Sequence, residues 1–145
     1  MDKAIDAVRR GDVSTVYYGW GQLRFFDPHV FTPIFEGTLT GPALTAFLDD
    51  VTDEVAQHLD AIAAEGNVRL VLREFGNGLD GPIFYLNPAY SDPVKQARFA
   101  DAIATANRRL EAIADLRGIP TVKVNEISKW AVSADPVIVG GVELR

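Results

Sequence analysis

Between Pro42 and Arg73 a helical repeat gives way to a strand, and that change limits the fold more than any other stretch. Leu44, Phe47, Leu48, Val51, Val55, Leu59 and Ile62 recur every three or four residues and define one face of a long helix. Pro42 suits its first turn and Gly66 its stop. Val68-Arg69-Leu70-Val71-Leu72-Arg73 follows at once as a mostly apolar strand. A helix delivered straight into a strand is half of a βαβ crossover, so the flanking segments decide whether a parallel sheet forms.

Those segments complete the pattern. Residues 2–10 place Ile5 and Val8 on one side of a short helix that ends at Gly11, and Val13–Tyr18 reads as a strand. Ser91-Asp92-Pro93 starts a second long helix, with a side-chain cap and proline in the first turn. Its expected buried face is Val94, Phe99, Ile103, Ala106, Leu110 and Ile113, and Gly118 closes it. Pro120–Val124 is then a third strand, and Val137–Leu144 is a fourth strand or a hairpin bent at Gly140-Gly141. Right-handed crossovers would make the first three strands parallel and bring their exit loops to one edge, the expected functional face. Trp20, Glu74 and Glu126 fall near that edge.

Two stretches lack periodicity. Residues 24–40 hold Phe25, Phe26, Phe31 and Phe35 with Pro28 and Pro33 as breakers, and residues 76–90 hold Gly76, Gly78, Gly81 and Pro82. Irregular segments of that length usually carry function. The alternation from Thr121 to Asn125 suggests a half-exposed strand, and three strands make a small sheet. The domain therefore reads as incomplete or dependent on a partner.

A chain of 145 residues, 48% hydrophobic and 23% charged, is expected to be a single globular domain. Its net charge of −6 argues against binding nucleic acid or anionic lipid, both of which require a basic face. Without cysteine there is no disulfide, thiolate metal site or cysteine nucleophile. The first ten residues lack an apolar signal-peptide core, and no run approaches the ~18 apolar residues of a membrane span. The expectation is a soluble, cytoplasmic chain.

Several chemistries fit poorly. None of Ser14, Ser91, Ser128 and Ser133 sits in a glycine-flanked elbow, and His29 and His58 show no pairing with them. The two histidines form no metal motif, and Asp49, Asp50, Asp53 and Glu54 read as a solvated helix face. The glycine-rich run from Gly76 to Gly81 precedes no helix directly, so it is a weak phosphate cradle. No metal or other cofactor is expected. Glu74 and Glu126, each after a strand, are an alternative acid/base pair of the glycosidase type, with Trp20 to stack on a sugar.

Thr15-Val16-Tyr17-Tyr18-Gly19-Trp20-Gly21-Gln22-Leu23 resembles the strand and G-x-N-D block of SGNH/GDSL-type esterases and lipases. Val68–Arg73, the helix from Asp92 to Leu110 with Asn107, Arg117–Val122 and Val139–Val142 resemble later parts of the same family. The resemblance implies an α/β fold, a three-layer α/β/α arrangement of the flavodoxin-like or SGNH-like type with a short, mostly parallel sheet. It implies a carboxylic-ester hydrolase with an ester or lipid-like ligand.

Gly21 falls where the family has its oxyanion Asn and Gln22 where it has the Asp, so Gly21 keeps only a backbone N–H donor. The family's nucleophilic Ser in G-D-S and its base in D-x-x-H have no counterpart here, so activity in this chain alone is expected to be weak or nil. Gly19, Trp20, Phe25, Phe26 and Tyr85 are the expected substrate-binding residues, with Gln22 and Gly21 as weak oxyanion candidates. The alternative is a non-catalytic binding or assembly module. A sheet lacking its first strand would also expose an edge, and a homodimer through that edge is expected.

Overall fold

Strand β1 (Thr15–Tyr18) pairs in parallel with β2 (Arg69–Arg73), and β2 pairs in parallel with β3 (Thr121–Val122). The computed structural model describes residues 1–76, 87–123, 137–139 and 142–144. The sheet order is β1-β2-β3, so the chain steps across it in one direction. Right-handed crossovers that step one way put their connecting helices on one face. This is a small α/β fold with a short parallel sheet.

Helix α1 (Asp2–Arg9) precedes β1, α2 (Pro28–Glu36) and α3 (Gly41–Ala63) connect β1 to β2, and α4 (Pro93–Leu116) connects β2 to β3. Strand alternation sorts the sheet into two faces. Val16, Tyr18, Leu70 and Leu72 point to the helices and join one core with Val55, Leu59, Ile103 and Leu110. Tyr17, Val71, Arg73 and Val122 share the other face, where Val71 and Val122 are fully buried. Among the described residues the helices share the core of the first face. The stretch 137–144 resolves as the hairpin alternative: β4 (Val137–Val139) and β5 (Val142–Leu144) run antiparallel, with Val139 opposite Val142.

Residues 24–36 are mostly helical, contrary to the expectation from their prolines, and 37–40 lack regular structure. Gln22–Phe26 form a 3-10 helix and Pro28–Glu36 form α2. Asp27 caps α2 by accepting from the His29 amide, Pro28 occupies the first turn, and Gly37 ends the helix at φ +81°. Pro33 sits inside α2 and removes one hydrogen bond. Burial of Phe31, Ile34 and Phe35 offsets that loss, with the Phe31 ring packed against Phe35 and Phe99.

Helix α4 begins as expected, with Asp92 accepting from the amides of Val94 and Lys95. Its buried face runs through Phe99, Ala102, Ile103, Ala106, Leu110 and Ala114, whereas Val94 is 67% exposed. Val94 lies in the first turn, before the helix reaches the core. The alanines on that face let α4 approach α2 and α3 closely.

Candidate functional site

The site begins where β1 ends. Gly21 has φ +103°, a region that L side chains rarely adopt, and it caps the 3-10 helix. Gly19 lies under the Arg73 guanidinium: a Cβ built there would stand 2.6 Å from Arg73 Nε. Arg73, the last residue of β2, donates from Nη2 to the Gly19 carbonyl at 3.1 Å and to Gln22 Oε1 at 3.4 Å. The Gly76 amide donates to the same Gln22 oxygen at 3.3 Å. Both neighbours are donors, which orients the Gln22 carboxamide with its oxygen inward and leaves its NH2 as the end that can donate elsewhere.

Together these residues form one side of a groove of about 610 Å3, lined by residues 19–24 with Glu54 and Arg73. Trp20 is 59% exposed on its rim and Leu23 is 80% exposed. Arg24 closes the far wall, donating to Glu54 at 2.9 Å and Asp50 at 2.5 Å, with its guanidinium over the Phe47 ring. The hydrogen bond to Asp50 and the charges of both carboxylates raise the Arg24 pKa. The acidic stretch at the start of α3 is thus partly spoken for: Asp50 and Glu54 hold Arg24, and Asp49 holds Arg109. Among the described residues no three His, Cys, Asp or Glu side chains gather as a metal site.

A polar chain runs behind this wall. The Tyr18 hydroxyl lies 2.5 Å from His58 Nδ1, and Glu54 Oε1 lies 3.9 Å from His58 Nε2. Burial, and secondarily the Glu54 charge, raises the Tyr18 phenol pKa, so the hydroxyl stays protonated. Tyr18, His58, Glu54, Arg24 and Asp50 form one connected run from the core to the surface. Sequence reasoning overlooked this run. Its only signal was Glu54 four residues before His58, one helical turn apart on α3.

Asn107, named in the sequence only within the family resemblance, steadies the exit of β2. Asn107 on α4 accepts from the Phe75 amide at 2.8 Å and donates to the Phe75 carbonyl at 2.9 Å. The side chain thereby continues the pairing that β3 gives Glu74, whose amide donates to the Val122 carbonyl. Phe75 in turn packs on Phe25 and approaches Gly21.

The expected site residues therefore separate. Gly19, Trp20, Gly21 and Gln22 come together in the groove. Phe25 is fully buried between Phe47 and Phe75, and Phe26 packs on Phe31 and Phe99, so these two support the loop from beneath. Glu74 is buried at the β2 exit, while Tyr85 and Glu126 lie outside the described residues. Ser14 precedes β1 and its carbonyl accepts from Arg69, and Ser91 donates to the Pro88 carbonyl; neither lines the groove. The described residues thus define an α/β domain with a strand-exit groove and no described serine in it. No family model, curated protein or solved structure matches the chain. No helix of the described residues is long and apolar enough to cross a membrane.

Proposed function

We propose that this is an SGNH-like α/β domain that binds a small ester- or lipid-like molecule in the groove after β1. By itself it contributes recognition, with weak or no turnover. The observation that carries this reading is the Gly19–Gln22 loop: two glycines set its path, an indole stands exposed on its rim, and the Gln22 amide is held with its donor end available. Backbone and amide donors beside an aromatic platform suit a carbonyl group attached to an apolar tail. None of the described serines reaches the groove, which supports binding over catalysis. Assembly extends the same reading. Among the described strands β1 pairs with β2 alone, so its outer edge offers a strand to a second copy.

Ethyl butyrate titrated into isotopically labelled protein tests the site. Saturable shifts at Gly19, Gly21 and the Trp20 indole are expected, and they should vanish in Trp20→Ala. That variant should keep its stability within about 0.5 kcal/mol, because the ring is mostly exposed. Turnover of p-nitrophenyl acetate that a fluorophosphonate abolishes by labelling one serine would overturn the non-catalytic reading. A stable monomer in sedimentation at high concentration would count against the paired edge.

A further inference from the structure

We infer that the groove is built for an anionic ligand, a carboxylate with an apolar tail, with Arg73 receiving the charged group. This rests on the reading of the groove as a ligand site and names the ligand class. The lining carries three ionisable side chains, Arg24, Glu54 and Arg73, so it is net positive by one in a chain whose overall charge is −6. Arg24 and Glu54 are bonded to each other, and Arg24 also holds Asp50. Arg73 has no carboxylate within ion-pair distance among the described residues. Its Nη2 donates to two neutral oxygens, and its Nε is buried without a hydrogen-bond partner.

A half-buried guanidinium bonded, among the described residues, only to neutral acceptors is an incompletely compensated charge, and leaving it so costs free energy. With Nη2 bonded to Gly19 and Gln22 and Nε buried, Nη1 is the donor left for a carboxylate oxygen, a charge-assisted hydrogen bond. Gln22 adds an amide NH2 on the same side, since Arg73 and Gly76 hold its oxygen. Beyond this polar end the rim is apolar: Trp20 and Leu23 are the exposed large side chains of the loop. Isolated exposed apolar residues need no explanation, but two of them bordering one groove beside an uncompensated cation describe an amphipathic ligand. Gly19 admits the guanidinium to this position, because any side chain there would displace it. Glu54 cannot fulfil the same role for Arg73, since Arg24 holds it at the opposite wall.

The test compares octanoate, 1-octanol, octyl phosphate and inorganic phosphate on the wild-type domain, following the Gly19, Gly21 and Trp20 signals. Octanoate should bind at least ~10-fold more tightly than octanol, as expected for charge-assisted hydrogen bonds. Added salt should weaken octanoate and leave octanol unchanged. Arg73→Gln should remove the preference, and Arg73→Lys should keep part of it. The wild-type comparison requires no variant to fold. Equal affinity for octanoate and octanol would overturn the anion inference while leaving the groove as a ligand site. Tighter binding of octyl phosphate or of phosphate alone would overturn the carboxylate assignment. Binding of none of the four would overturn both readings.

Discussion

Asn107→Ala should be among the most destabilising single changes in the chain, although Asn107 lies on a helix and touches no expected ligand. Its carboxamide satisfies both the amide and the carbonyl of Phe75. Phe75 is only 4% exposed, so water cannot readily replace the lost partner. Each orphaned buried group costs about 1–3 kcal/mol, and two of them give roughly 2–5 kcal/mol with some relaxation. Urea unfolding followed by circular dichroism should show a lower midpoint at unchanged slope. Asn107→Asp keeps the acceptor for the Phe75 amide but sets a carboxylate oxygen against the Phe75 carbonyl, so it should rescue little. Because Phe75 packs on Phe25 and against Gly21, amide shifts in Asn107→Ala should reach the groove and spare α1. A loss below about 0.5 kcal/mol, in the range of an ordinary surface change, would refute the clamp.

The two loop glycines should respond differently to alanine. Gly21→Ala meets both a φ of +103° and the Phe75 ring at 3.3 Å, so a loss of about 1–3 kcal/mol is expected in the same urea assay. Gly19→Ala meets only the end of the Arg73 side chain, which can swing away. It should cost under ~1 kcal/mol yet abolish binding in the groove. Tyr18→Phe tests the polar run behind the wall. The raised phenol pKa means that the unfolded chain ionises first, so stability is intact below about pH 10 and falls as pH climbs above it. One such group contributes a slope of up to ~1.4 kcal/mol per pH unit, and the phenylalanine variant should show a shallower alkaline decline. Tyr17, also raised by burial, keeps its own share. An unchanged alkaline slope would show that Tyr18 is not held neutral by the fold.

Where local chemistry decides structure, the sequence was sufficient. The periodic faces of α3 and α4, the Asp92-Pro93 start and the stops before Gly11, Gly66 and Gly118 depend on residues within a turn or two of each other, and apart from the exposed Val94 they stand in the fold as read. The same local chemistry was present at Asp27-Pro28, which caps α2 just as Asp92-Pro93 caps α4. Pro33 obscured it there, because a proline inside a helix reads as a breaker until the burial of Phe31, Ile34 and Phe35 is known. The groove was half legible. Gly19, Trp20, Gly21 and Gln22 follow a strand and stood out, but whether Phe25 and Phe26 face the ligand or the core depends on the path of the 3-10 helix.

Tertiary structure alone decided the partners that arrive from distant elements. Arg73 on β2 reaches back to Gly19 and Gln22, Asn107 on α4 reaches Phe75, and Tyr18 at the end of β1 reaches His58 on α3. Each of these contacts joins residues more than thirty positions apart. Propensity and periodicity describe which way a residue faces within its own element. Only the one-directional stepping of the three strands, which stacks the crossover helices on one face, brings those faces together. The sequence by itself thus determined the elements and the loop where a site would lie, while packing determined that the loop is backed by an arginine that, among the described residues, bonds only to neutral acceptors.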